Sequence, residues 1–471
     1  MPEGRAAGAQ SALFPTREER QRGEDRLTAA LIAAEARVER GSVTPDFDAE
    51  AFRRALAEFD FATPRRLEEA VAWTIEQLEH GVTHMTHPRY FGLFNPAPSF
   101  PGQCADRIAA AFNPQLATAT TSPAAVAIEA HVIAQVARRA GLPPNSGGHF
   151  TSGGAEANYT ALICALSAAN SGFAERGARA FDGQPVFYIS RESHLAWFKI
   201  AHQAGIGRDA VRLVETDGEG RLDPAVLAEM IAADRAAGRV PVMVCATAGT
   251  TNAGMIDPLA PCAEIARRET AWFHVDAAWG GALIASDRYR EVLAGMETAD
   301  SLTVDAHKWL ATTMGCGMFF TRRPEILAAA FQVTTGYMPS HNAGSDPYLN
   351  SVQWSRRFVG LRLFLSLAAA GWVGYAEHVE HSLEMAVLLG ERLAARGWRV
   401  VNASPVAVLC FEPPAGSAEV QAIVARVLAS GQAWISVASF EGRKVIRTCI
   451  THGGTTSADV DVLVAALAAA A

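Results

Sequence analysis

Apolar and polar positions along this chain follow two alternating periods, and the switch between them predicts its architecture. From Pro185 onward, short runs rich in β-branched and aromatic residues alternate with stretches of helical spacing. Positions 186–189, 210–214, 240–247, Trp272–Asp276 and 301–308 read as strands. Positions 195–204, 223–236 and 259–269 read as the helices between them, and 289–295 as part of an amphipathic segment joining the last two strands. Such alternation predicts an α/β fold, a mostly parallel sheet flanked by helices. Upstream, 108–112 and 124–141 read as core helix, and Ser152-Gly153-Gly154 leads into an alanine-rich helix over 155–169. Nearer the N-terminus, Asp48 is placed to cap one helix and Thr63, followed by Pro64, to cap another. That second helix carries Leu67, Val71, Ile75 and Leu78 as one apolar stripe. Toward the C-terminus, a helix from about His381, strands over 406–411, 433–439 and 444–450, and a helix over 419–428 predict a small α+β domain. The expected division is an N-terminal arm and helical segment over 1–95, a large domain over 96–375 and the small domain over 376–471.

Reactive residues fall at particular points of this pattern. Asp276 ends one apolar run and Lys308 ends the next. His194 follows the strand over 186–189, and Thr250 lies in the polar loop after 240–247. In an open α/β sheet, the carboxyl ends of the strands are where ligands bind. An acid and a lysine at neighbouring tips suit a cofactor needing both an anion and an amine. Pyridoxal phosphate (PLP) is such a cofactor: its aldehyde condenses with a lysine and its ring nitrogen takes a carboxylate partner. The side-chain-poor helix start at Gly153-Gly154 could seat a phosphate on free N–H groups, although an ordinary glycine-containing helix start fits it equally well.

Composition narrows the function classes. The chain has 471 residues, 49% hydrophobic and 19% charged, with a net charge of −8. No global basic field would recruit nucleic acid or anionic lipid, and no segment approaches the roughly 18 apolar residues of a membrane span. The first 26 residues have no apolar core of the secretory kind and read as a flexible or interface-borne arm, so a cytoplasmic location is expected. Seven scattered cysteines without Cys-x-x-Cys spacing read as reduced core thiols. His80, His84 and His87 have a metal-like rhythm, but Gly81 and Pro88 prevent one helix from presenting them together, and no metal is expected. The aromatic and proline-rich stretch 90–100 suits a rigid loop beside an apolar pocket.

HVDAAWGG, DSLTVDAHKWL and QWSRRFVGLRLFLSL together resemble the group II PLP-dependent decarboxylases, nearest their aromatic L-amino-acid branch, and the resemblance runs from about Thr44 to the end. It implies a fold-type I PLP enzyme, homodimeric, with active sites at the subunit interface. It also implies that an L-amino acid, with a lean toward tyrosine-like substrates, loses CO₂ to give the amine. By resemblance Lys308 is the lysine that carries PLP and Asp276 the partner of its ring nitrogen. His194 stacks on the ring, Gly154 and Ala155 form the phosphate loop, Thr250 lies beside the cofactor, and His307 precedes the lysine. Tyr337 falls where the family has a catalytic tyrosine on a mobile loop. Ser355 resembles the plant branch that prefers phenolic substrates. Two positions depart from the animal enzymes: Ala155 replaces a hydroxyl residue, and Asp305 replaces an asparagine near the phosphate. An anion at 305 would repel phosphate, so Asp305 is left out of the expected site. The alternatives are an aldehyde synthase or other PLP lyase on the same scaffold, and a catalytically silent PLP-binding protein. A nicotinamide dehydrogenase is disfavoured, since no Gly-x-Gly-x-x-Gly follows a first strand.

Overall fold

The computed structural model describes residues 12–95, 97–333 and 346–471. At its centre lies a seven-stranded sheet of β1 (Gly147–Thr151), β2 (Pro185–Ser190), β3 (Val211–Val214), β4 (Val240–Thr247), β5 (Trp272–Asp276), β6 (Ser301–Asp305) and β7 (Gly317–Thr321). Their order is β1-β7-β6-β5-β4-β2-β3. β7 runs antiparallel to both of its neighbours, and the pairings from β6 through β5, β4 and β2 to β3 are parallel. Every residue of β2, β5 and β6 is buried, as expected of strands covered on both faces.

The period-2 geometry of a strand sorts its side chains onto two faces. Val186 and Tyr188, Val244 and Ala246, Phe273 and Val275, and Leu302 and Val304 belong to one core, shared with the helix Pro123–Arg139 and the small domain. Phe187, Ile189, Met243, Cys245 and Trp272 belong to a second core, beneath the helices Gly154–Ala169 and Ala196–Gln203. On that second face the C-terminal halves of β5 and β6 turn polar.

A second sheet, antiparallel throughout, is formed by β8 (Arg399–Val400), β9 (Val408–Glu412), β10 (Ser436–Phe440) and β11 (Arg443–Cys449), in the order β10-β11-β9-β8. The long helix Gly360–Ala394, broken at Gly371, runs from the large sheet into this region. Arg447, 2% exposed, ties β11 to the active-site side by donating to Thr251 O, Asn252 O and Gly92 O.

Several local expectations change. The N-terminal arm includes a 24-residue helix, Arg17–Arg40, begun by a Thr16/Glu19 capping box and paired to the helix Leu67–Gly81 through Arg26–Glu68 and Arg37–Glu79. That second helix starts after Arg66 rather than Thr63: Asp60 Oδ1 takes the N–H groups of Ala62 and Thr63 and holds a separate turn there. The β5–β6 crossover is not an α-helix. Three short 3₁₀ turns make it (Gly280–Ala285, Arg290–Leu293, Met296–Thr298), because Ala-Trp-Gly-Gly packs its backbone too close to β4 and β6 for a full helix. β6 stops at Asp305, and Lys308 sits in the turn beyond it. In QWSRRFVGLRLFLSL the helix starts at Gly360.

Burial leaves several imidazoles neutral. It lowers the pKa of His87, His274 and His378 to about 4, and that of His149 to about 3. Burial acts the other way on carboxyls, raising Asp257 to about 7 and pushing Glu129 up. Between about pH 4 and 6.5 the unfolded chain therefore binds protons that the four folded histidines refuse, while the two carboxyls oppose this in part. With more protons bound in the unfolded state, stability falls as pH drops through that window. Calorimetry should show Tm falling from pH 7 to pH 5, with net proton uptake on unfolding at pH 5. A Tm that stays level or rises on acidification contradicts this.

Candidate active site

The carboxyl ends of the parallel strands open into a cavity of about 170 Å³. Asp276 comes to it from the last position of β5, Lys308 from the turn after β6, and His194 from the loop after β2. Gly154 and Ala155 come from the first turn of the helix Gly154–Ala169, and Thr247, Gly249 and Thr251 from the end of β4 and its loop. Phe94 and Trp279 form an aromatic wall, their rings stacked 4.4 Å apart, and Trp279 stacks in turn on Trp309 at 4.6 Å. The Lys308 ammonium lies 5.5 Å from the centre of the Phe94 ring.

Two glycines are needed for this shape. A Cβ on Gly154 would come within 2.9 Å of Asp305 Oδ2. Gly249 has φ +99°, and a Cβ there would meet Trp279 Cδ1 at 2.9 Å.

Of the residues singled out by sequence, Gly154, Ala155, His194, Asp276 and Lys308 share this cavity. Thr250 does not line it: its hydroxyl accepts the Met255 N–H and closes the loop, and the neighbouring Thr251 takes the lining position. His307 stands behind the lysine, its Nδ1 accepting from Cys316 N, with its ring against the Gly153 backbone. Tyr337 lies outside the described residues. His194 accepts the Ala196 N–H at Nδ1, so its proton is on Nε2. Surrounding protein lowers its pKa, chiefly by desolvation, and favours this neutral form.

Asn158 and Asp305 are among the cavity residues that were not in the expected site. Asn158, within a stretch that reads simply as apolar helix, donates from Nδ2 to Asp276 Oδ2 at 2.7 Å. Asp305, set aside as an anion that phosphate would not tolerate, faces the cavity, its Oδ2 3.2 Å from Lys308 Nζ. Its Oδ1 is buried with no hydrogen-bond partner among the described residues. The strand period carried a signal for both. Asp276 and Asp305 each occupy the last position of a strand whose alternate residues are polar, and that polar face must meet something polar on the covering helix.

The donor set suits one kind of group. A primary amine faces the cavity, a buried carboxylate accepts hydrogen bonds from Asn158 and from Ala278 N at 3.2 Å, an imidazole stands at the mouth, and a side-chain-poor helix start closes one end. These are the requirements of an aromatic aldehyde that carries a basic ring nitrogen and a phosphate. Among the described residues no cluster of three or more His, Cys, Asp or Glu side chains is placed to hold a metal.

Residues 57–413 match the family model described as the pyridoxal-dependent decarboxylase conserved domain. The chain belongs to the pyridoxal-dependent decarboxylase family. Its relatives include the aromatic-L-amino-acid decarboxylase of Bacillus atrophaeus, 28% identical with 89% of this chain and 88% of that protein aligned. They also include the tyrosine decarboxylase of Oryza sativa subsp. japonica, 35% identical over 79% of this chain and 71% of that one. Among solved structures, Oryza sativa TDC with PLP and tryptamine superposes with a TM-score of 0.87 at 26% identity, covering 99% of both chains. Mouse CSAD shares the fold with a TM-score of 0.89 at 24% identity, over 96% of this chain and 98% of that one. The decarboxylase described here is thus a PLP-dependent amino-acid decarboxylase of the fold-type I architecture.

By the resemblance a phosphate is received at the helix start beside Asp305, where the buried carboxylate would oppose it. Asp305→Asn removes the charge without changing the shape. PLP should bind the cofactor-free variant roughly tenfold more tightly at pH 7, as read by equilibrium fluorescence titration. Weaker binding by the variant would mean that the Asp305–Lys308 pair assists loading.

Proposed function

We propose that the decarboxylase acts on an aromatic L-amino acid, tyrosine-like in preference, and releases the amine and CO₂. The observation that carries this reading is the single cavity onto which Lys308, Asp276 and His194 converge against the Phe94–Trp279 wall. The stacked rings favour a flat apolar side chain over an acidic one. The tyrosine decarboxylase relative and Ser355, which accepts from Gln115 Nε2 at 2.7 Å, support the phenolic lean.

PLP, when bound, supplies an aldehyde for amines and a protonated ring that withdraws electrons as the carboxylate leaves the substrate. Lys308 Nζ provides the amine that holds PLP between turnovers. Asp276 holds a proton at the ring nitrogen, since an anion beside a cation stabilises it. His194, at the cavity mouth, would cover a face of the ring and restrain it. The N–H groups at Gly154 and Ala155 receive the phosphate, with Thr251 nearby and with Thr250 and His307 supporting the loops behind it. Tyr337, assigned by resemblance, delivers a proton to Cα of the substrate after CO₂ leaves and limits access of water and oxygen.

The working unit in this proposal is a homodimer with its active sites at the subunit interface, in the cytoplasm. No helix among the described residues is long and apolar enough to cross a membrane. Exposed apolar side chains support the dimer. Phe100, Ile108 and Phe112 lie along one helix at 75%, 43% and 81% exposure, and Leu27, Leu31 and Ile32 along the N-terminal helix. Light scattering should give about twice the chain mass, and Phe112→Glu should shift it toward the monomer with loss of activity; a monomeric active enzyme contradicts the dimer.

The purified protein, loaded with PLP and offered tyrosine, DOPA, phenylalanine, tryptophan and glutamate in air, tests the reaction. Amine equal to CO₂ is expected, highest with tyrosine or DOPA, with little aldehyde or peroxide. Tyr337→Phe should divert product toward aldehyde and peroxide. Aldehyde as the main product of the unaltered chain would favour the aldehyde-synthase reading, and turnover of glutamate alone would overturn the aromatic one.

A further inference from the structure

The polar faces of β5 and β6 form a row of hydrogen bonds under the helix Gly154–Ala169, and the direction of every bond in it can be assigned. At the cavity end, Asp276 accepts. The Asn158 amide must therefore present Nδ2 to Asp276 Oδ2, at 2.7 Å, which turns its Oδ1 away toward β6. That oxygen takes the Thr303 hydroxyl at 2.7 Å and lies 3.1 Å from His274 Nε2. An amide oxygen cannot donate, so Nε2 carries the imidazole proton. His274 is wholly buried, and desolvation holds it neutral, so its Nδ1 is bare and accepts from the Ser301 hydroxyl at 2.8 Å. Ser301 in turn accepts the indole N–H of Trp272, also at 2.8 Å. Trp272 has one hydrogen to give and nothing to accept, so it fixes the polarity of the whole row. The parallel register sets the row: His274 pairs with Ser301 and Asp276 with Thr303, and Trp272, His274 and Asp276 share a strand face.

We propose that Asn158 and His274 are positioning residues, the last links of a one-way hydrogen-bond relay that runs Trp272 to Ser301 to His274 to Asn158 and ends on Asp276. Each N–H or O–H in it points toward the carboxylate. The relay fixes which carboxylate oxygen faces the cavity and presents an N–H dipole to its negative charge, so that Asp276 stays an acceptor for a protonated ring nitrogen. This inference rests on the reading of Asp276 as the partner of that nitrogen. An ordinary packing amide would need no such polarity. Here Asp276, two hydroxyls, an indole and an imidazole are all buried, and each relay bond satisfies a group that would otherwise be unpaired.

The test has a cofactor-free arm and a loaded arm. In the cofactor-free protein, ¹⁵N-resolved NMR of the histidine rings should show His274 as the Nε2–H tautomer at pH 7 and still neutral at pH 5.5. An Nδ1–H tautomer overturns the relay. In protein loaded with ring-¹⁵N-labelled PLP, the unaltered chain should show a protonated ring nitrogen. Asn158→Leu should move that signal toward the unprotonated position and lower kcat by about 10- to 100-fold, the range typical when a partner orienting a ligating group is lost, with KM within about threefold. His274→Leu should act in the same direction. His274→Gln, whose amide can donate to Asn158 and accept from Ser301, should recover most of the loss; if Asn158→Leu does not fold, this pair carries the test. A purely structural role predicts lower Tm with an unmoved ring-nitrogen signal and equal effects of Leu and Gln at 274. Asp276→Asn separates the two layers. If it moves the signal and the relay variants do not, the relay falls and the cofactor assignment stands. If Asp276→Asn leaves the signal in place, the assignment of Asp276 itself falls, and the relay with it.

Discussion

Parallel pairing of β5 with β6 is the constraint on which the rest depends. It aligns His274 with Ser301 and Asp276 with Thr303. Both strands therefore end on the same side of the sheet, β5 delivering a carboxylate and β6, three residues past its end, an amine. A one-residue slip of β5 would turn His274 and Asp276, and one of β6 would turn Thr303 and Asp305, to the opposite, apolar face, where Val186, Val244 and Leu302 pack. Either slip would bury unpaired polar groups at several kcal/mol each. The register that builds the core is thus the register that builds the site.

The covering helix Gly154–Ala169 serves both. Its inner surface is mostly Ala, Leu, Ile and Cys, small enough to lie close on β5 and β6, and that closeness lets Asn158 reach Asp276. Its first residue is Gly154, where a Cβ would strike Asp305 Oδ2 at 2.9 Å. The same element covers the hydrophobic sheet face, orients the carboxylate and presents its N–H groups to the cavity.

Much of this was legible in the residues, for identifiable reasons. Strands buried on both faces read as unbroken apolar runs, so β2, β4 and β5 stand out, and reactive types at their tips mark the ligand edge. What stayed hidden depended on distance in the chain or on close packing. Asn158 looks like one polar interruption in an alanine-rich helix, and its partner is more than a hundred residues away. Asp305 was excluded by a sound electrostatic argument that did not include the Lys308 ammonium 3.2 Å from it. The crossover between β5 and β6 has the length and amphipathic pattern of a helix, yet Gly280 and Gly281 press against Ala248 and Val304, and the chain takes tight turns instead. Thr63 and Pro64 have the residues of a helix start, but Asp60 captures the local N–H groups first.

The central claim is that Lys308 carries the cofactor, opposite Asp276 in this cavity. Borohydride reduction of the PLP-loaded protein, followed by peptide mapping, tests it most directly. One pyridoxyl group per chain is expected, on the peptide containing Lys308, and none in Lys308→Ala. A stoichiometric adduct on another lysine, with activity retained by Lys308→Ala, would contradict it.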